Sequence, residues 1–162
     1  MSSNGQPKRR AILAFVLNRS GVLNKISMLI RRKMYNVETL TVCATLQPGI
    51  SRLTLTLREA NDAKALQVVK QLEKMTEVIS ARELDIDQSF WREVAIVKFE
   101  GDNNLLAALD QRFPMEILDR RERGLCVAQI AGTSKRIDDF IAAIGKEKVV
   151  EVARSGFTAM EM

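Results

Sequence analysis

The sequence predicts an α+β protein in which the element order βαββαβ occurs twice, giving two small helix-on-sheet sandwiches in tandem. Three observations predict it. Strand-like and helix-like hydrophobic periods alternate in that order through the first half. The same order returns in the second half with little residue identity. Finally, "DIDQSF" (Asp85 to Phe90) joins the halves without a Gly/Pro-rich linker, so the two units are expected to be close-coupled.

The first half parses element by element. "RRAILAFVL" (Arg9 to Leu17) is a short apolar run suited to a buried strand. From Gly21 to about Lys33, Val22, Leu23, Ile26, Leu29 and Ile30 fall at helical spacing on one face. In "YNVETLTVCATL", Val37, Leu40, Val42 and Cys43 are interleaved with threonines, a strand pattern. "QPG" is turn chemistry. In "ISRLTLTL" the leucines 53, 55 and 57 alternate with Arg52, Thr54 and Thr56. "NDAKALQVVKQLEKM" is a helix capped by Asn61 or Asp62, with Leu66, Val69, Leu72 and Met75 as its stripe. "EVISARELD" is the closing strand. This is a ferredoxin-like unit, whose helices cover one sheet face while the other needs a partner or stays exposed.

The second half follows suit. "FWREVAIVKFE" is a strand and "DNNLLAALDQRF" a helix capped by Asp102 or Asn103. "MEILDRRERGLCVAQIAG" holds two strands around a turn rich in arginine (Arg120, Arg121, Arg123). "TSKRIDDFIAAIG" is a helix capped by Thr133 or Ser134, with Ile137, Phe140, Ile141 and Ile144 inward and Gly145 stopping it. "KVVEVARSG" is the last strand. The expected organisation is a flexible lead-in over 1–8, one domain over 9–84 and a second ferredoxin-like domain over 90–158.

Composition narrows the function classes. Apolar residues make up 46% and charged residues 28% of the 162 residues, values of an ordinary globular chain. No apolar run approaches the ~20 residues that span a bilayer. "MSSNGQPKRR" lacks a secretory apolar core, so a cytoplasmic location is expected. Cys43 and Cys126 read as buried free thiols. Phe90 and Trp91 read as inter-domain packing, and the methionines at 28, 34, 75 and 115 as core or gap-fillers. Histidine is absent, which removes His-based nucleophile systems, His-ligated metals and imidazole proton shuttles together. No carboxylate or lysine constellation replaces them, so no catalytic residue and no metal site is expected. The net charge is +5, and every basic residue from Lys8 to Lys33 precedes the first acid, Glu38. No recognition helix or base-stacking motif accompanies that charge, so nucleic acid is not the expected partner.

The stretch "LNRSGVLNKISMLI" raises the functional question: its helix begins on Gly21, a poor helix former, with Ser20 read as the cap. "NRSGVLNKISMLI", "YNVETLTV" and "ISRLTLTL" together resemble the amino-acid-sensing ACT domain of the small regulatory subunit of acetohydroxyacid synthase (acetolactate synthase). "REVAIVKF", "AGTSKRIDDFI" and "KVVEVARSG" resemble that family's C-terminal domain. Six ordered matches run from about Arg9 to Gly156.

The resemblance implies a non-catalytic subunit that forms a homodimer through its ACT domain. It also implies that the subunit binds and activates the catalytic subunit of branched-chain amino-acid synthesis and confers feedback inhibition by valine. Thiamine diphosphate, FAD and Mg²⁺ would belong to that catalytic partner, with no cofactor of the chain's own. The expected effector residues are Asn18, Gly21, Val22, Leu23, Asn36 and Val37. N–H groups around Gly21, Val22 and Leu23 can receive a carboxylate at a helix N-terminus, and the amides of Asn18 and Asn36 can both donate and accept. Each has a plainer reading: Gly21 as steric relief where helix meets sheet, and the asparagines as turn or strand-end residues.

One departure stands out. The family commonly has glycine before the aromatic–Asn pair, and here "RKMYN" has Met34. Methionine disfavours a left-handed backbone, so either the turn differs or the strain is tolerated. The competing reading is a free-standing amino-acid-sensing regulator acting on nucleic acid, prompted by the basic first 36 residues.

Overall fold

The computed structural model describes residues 8–85, 87–121 and 124–161. They fall into two compact units, one within Met1–Phe90 and Phe157–Met162, the other Trp91–Gly156. The expected lead-in lies outside the described residues except for Lys8, which opens the first strand; Ile86 of the junction and Arg123 of the arginine turn also lie outside them.

Unit 1 contains β1 (Lys8–Leu17), α1 (Val22–Arg32), β2 (Val37–Ala44), β3 (Ile50–Glu59), α2 (Asp62–Glu73) and β4 (Val78–Glu83). Its antiparallel sheet has the order β2-β3-β1-β4. The alternation in "ISRLTLTL" decides which side is the core. Leu53, Leu55 and Leu57 pack with Ile12, Ala14 and Val16 beneath Val22 and Ile26 of α1 and Val68, Val69 and Leu72 of α2. Unit 2 contains β5 (Ser89–Glu100), α3 (Asn103–Arg112), β6 (Glu116–Arg120), β7 (Leu125–Gly132), α4 (Ser134–Ile144) and β8 (Val149–Arg154). Its strands run β6-β7-β5-β8. Phe140 fills the centre of its core, edge-on to Phe99 at 6.4 Å and to Phe113 at 5.5 Å. The tandem βαββαβ fold expected from the two hydrophobic periods is thus the fold observed. Among the described residues no helix is long and apolar enough to cross a membrane.

Several side chains stand elsewhere than expected. Leu23 and Leu66 are about half exposed, because each lies at the rim of its helix's stripe; Ala65 and Val68 take the inward positions on α2. Met28 and Met34 face solvent, whereas Met75 and Met115 do pack against the two cores. Cys43 is exposed, since it lies on the outer face of the edge strand β2; Cys126 is buried. Phe90 is largely exposed.

The second sheet face of unit 1 has an occupant that the sequence reading missed. A final strand, β9 (Thr158–Glu161), belongs to this unit. The Arg9 guanidinium lies 4.7 Å from the Phe157 ring centroid, Arg52 donates to the Ala159 carbonyl, and Arg82 donates to Glu161 at 2.6 and 3.0 Å. Phe157 and Ala159 are buried.

Ion pairs absorb much of the N-terminal positive charge. The buried Arg10 joins Asp62 on α2, Glu83 on β4 at 2.9 Å and the Glu59 carbonyl at 3.0 Å. Burial works against its charge, yet these bonds outweigh it and raise its pKa. Arg9 and Arg58 both donate to Glu38, and Lys25 pairs with Glu77.

Candidate functional site: the first strand-to-helix loop

The loop between β1 and α1 is pinned before the helix starts. Leu17 N–H donates to the Glu77 carbonyl and Asn18 N–H to the Gly49 carbonyl, both at 2.8 Å. Lys25 reaches from the first turns of α1 to Glu77. The lysine's hydrogen bond, with the residue's own backbone and Thr76 assisting, holds the Glu77 carboxyl below its ordinary value.

Ser20 does not cap α1. The N-cap is Gly21, at φ 86° and ψ −13°, and no side-chain oxygen caps the N–H groups of the first turn. That left-handed conformation is why glycine stands there, because a β-carbon would be strained even though the space around it is open. The other three helices are capped by their own side chains. Asn61 accepts from Ala63 N–H at 2.9 Å, Asp102 from Leu105 N–H at 2.8 Å and Thr133 from Arg136 N–H at 3.3 Å. The contrast with Asp102 is direct, since it occupies the corresponding turn of unit 2. At α1 the Val22 N–H turns back to the Arg19 carbonyl at 3.3 Å, and the positive dipole end has no side-chain cap; in unit 2 a carboxylate already fills that place.

Beside Gly21 lies a cavity of about 80 Å³. Asn18, Val22, Leu23, Val42, Ser51 and Leu53 contribute to its wall. Three expected effector residues, Asn18, Val22 and Leu23, therefore meet there, with Gly21 in the adjoining turn. Asn36 and Val37 do not meet them within one chain. Val37 pairs with Leu57 and Val42 with Leu53, so five residues of strand, about 17 Å, separate the two ends of β2. Val42, Ser51 and Leu53 were not anticipated. The alternation around Leu53 already put Ser51 on the helix-facing side; the β1–β3 register, Leu17 opposite Ile50, was what would have placed it at this loop.

The far end of β2 is held by a clamp. Glu38 sits at a register shift between Val37 and Thr39, and a bulge there re-aims its side chain. It accepts from Arg9 Nε at 2.7 Å and from Arg58. Burial alone would raise the Glu38 pKa, but the two arginine bonds prevail and lower it. Next to it, Met34 is left-handed at φ 57°, with its side chain in solvent. The turn is therefore kept and the methionine bears the strain.

Among the described residues no group of three or more His, Cys, Asp or Glu is arranged to hold a metal ion. In the arginine turn, Arg120 donates to Asn103 and Arg121 to Asp119, both exposed.

Both halves match known families. Residues 12–80 match the AHAS small subunit-like ACT domain, and residues 92–162 match the small subunit of acetolactate synthase. The acetolactate synthase isozyme 3 small subunit of Escherichia coli K12 is 34% identical over 157 residues, covering 94% of each chain. The probable acetolactate synthase small subunit of Methanothermobacter thermautotrophicus is 32% identical, covering 96% of this chain and 94% of its own. The crystal structure of the acetolactate synthase small subunit of Thermotoga maritima superposes with a TM-score of 0.87 at 28% identity, covering 96% of this chain and 98% of its own. From the uncapped loop at one end to the last strand at the other, the chain belongs to the acetolactate synthase small-subunit family, and its first unit carries that family's ACT domain.

Proposed function

We propose that this chain is a cytoplasmic, non-catalytic regulatory subunit of acetolactate synthase. It binds and activates the catalytic subunit and confers feedback inhibition by a branched-chain amino acid, valine first. The observation that carries the reading is the uncapped N-terminus of α1 at Gly21 beside an apolar cavity. A free amino acid has a carboxylate for the first and an aliphatic side chain for the second. Burying that side chain contributes ~1.5–3 kcal/mol, and the helix terminus adds up to ~2 kcal/mol. After the cost of association, such a site suits weak, reversible sensing.

The cavity is smaller than the roughly 300–1,000 Å³ of complete ligand sites, so one chain supplies part of the pocket. A homodimer supplies the rest. β2 is an edge strand, and pairing two copies of it about a two-fold axis is antiparallel. That brings the Asn36 end of one copy to the Val42 end of the other, where its amide can meet the ligand. Valine would then shift the dimer's conformational population, and the catalytic subunit would read that shift. By linkage, binding of the catalytic subunit changes valine affinity by the same factor. Thiamine diphosphate, FAD and Mg²⁺ reside on the catalytic subunit.

Calorimetric titration with valine, with alanine as control, tests the reading. Saturable valine-selective heat that vanishes in Gly21→Asp is the expected result, and retention of that heat in the variant would refute the assigned pocket.

A further inference from the structure

Ser51 on β3 lines the cavity beside Gly21, yet it is only 5% exposed. Alternation along the strand sets its side chain on the helix-facing side with Leu53. The ladder seats it between Val16 on β1 and Ala44 on β2, under the first turn of α1. Its hydroxyl makes no hydrogen bond to any of the described residues. A buried hydroxyl without a partner is costly, and a ligand in the cavity is what can complete it.

The cavity is short of acceptors. A free amino acid brings a carboxylate, which takes donors, and an ammonium with three N–H groups to place. The open first turn of α1 serves the carboxylate. For the ammonium there is no Asp or Glu in the wall. Apart from Asn18, Arg19 and Ser51 the wall is aliphatic, and Arg19 repels a cation. The only side-chain oxygens at the cavity are therefore those of Asn18 and Ser51.

We propose that Ser51 is a positioning residue for the effector's ammonium, its hydroxyl accepting one N–H while the Asn18 amide accepts another. The inference rests on the effector reading above and adds a source of selectivity to it. A carboxylic acid of the same carbon skeleton meets the same helix end and the same aliphatic wall. Lacking the ammonium, it leaves the Ser51 hydroxyl unpaired. The site thus tells an amino acid from its des-amino counterpart through neutral oxygens, without a carboxylate of its own.

Calorimetry on the full-length chain tests this with two ligands, valine and 3-methylbutanoate, which is valine without its ammonium and is read by competition. Ser51→Ala is expected to weaken valine about tenfold or more and to leave 3-methylbutanoate unchanged. Because it deletes an unpaired buried hydroxyl, the variant is also expected to unfold at the same urea concentration as wild type or a higher one. Valine affinity of wild-type strength in Ser51→Ala would overturn the assignment while leaving the effector reading in place. An equal loss for both ligands would put the hydroxyl against the carboxylate or the aliphatic chain, and unfolding at lower urea would make Ser51 a structural residue; either overturns the proposal. If the wild-type chain gives no valine heat, the effector reading falls and the role of Ser51 with it.

Discussion

Gly21 and Asp102 hold the same N-cap position at the two corresponding strand-to-helix turns, and only Asp102 places a side-chain oxygen on its helix, 2.8 Å from the Leu105 nitrogen. A duplicated fold has thus kept one helix end open and closed the other with its own carboxylate. Gly21→Asp places a carboxylate at the open end in unit 1, from a left-handed backbone rather than the extended one of Asp102. Aspartate tolerates the left-handed region better than most residues, and nothing lies within 4 Å of a β-carbon at Gly21. The variant is expected to fold at a cost of about 1 kcal/mol and to bind no valine. Asp102→Ala is expected to cost about 1 kcal/mol of stability and leave valine affinity untouched. Urea melts and calorimetry on both proteins check the pair.

If the pocket combines Gly21 of one copy with Asn36 of another, defects at the two positions complement. Gly21→Asp and Asn36→Ala homodimers would each bind no valine. A mixed dimer would keep one intact site, so an equal mixture allowed to exchange recovers about a quarter of the wild-type sites. No recovery after proven exchange would mean that both residues act within one chain or that Asn36 takes no part.

Met34 bears a left-handed backbone without packing its side chain. Met34→Gly relieves a strain of ~1–2 kcal/mol and forfeits part of that to the unfolded chain's added freedom. A net gain of about 0.5–1 kcal/mol in denaturant unfolding is the expected outcome; a loss would show that the methionine makes a contact worth more than its strain.

The Glu38 clamp makes stability depend on acid. Its folded pKa lies below the ordinary value, so its contribution is complete above about pH 4.3 and is lost as pH falls through the lower, folded value. Glu38→Gln is expected to cost about 1–2 kcal/mol at neutral pH and to flatten the fall in stability between about pH 5 and 3. Unfolding free energies measured across that range test it, and parallel curves for the two proteins would dismiss the clamp.

The strands and helices were legible because their hydrophobic periods are unambiguous: the leucines of β3 alternate without exception, and α1 keeps its apolar residues on one stripe. The open cap was half legible. Gly21 announced an unusual turn, but only its backbone dihedrals reveal that Ser20 leaves the first N–H groups alone. Leu23, Leu66 and Met28 were misread because a helical stripe does not say where its rim meets solvent. Asn18 and Asn36 were chosen for their amides, and the distance between them within one chain became visible only from the register of β2 on β3. β9 escaped notice because "TAME" has too few apolar residues to signal a strand, and the arginines that touch this segment, Arg9, Arg52 and Arg82, are each more than 70 residues away.

That last strand has a consequence for how the protein is made. Translation completes all of unit 2 before it reaches residues 157–161, yet those residues belong to unit 1. The unit that is begun first therefore cannot be finished until the whole of unit 2 has been synthesised, and Phe157 and Ala159 reach their burial sites only after that. A released chain that stops at Gly156 would carry all the residues of unit 2 and a first unit whose sheet still lacks its cover, which makes that sheet face a natural mark by which quality control recognises unfinished molecules.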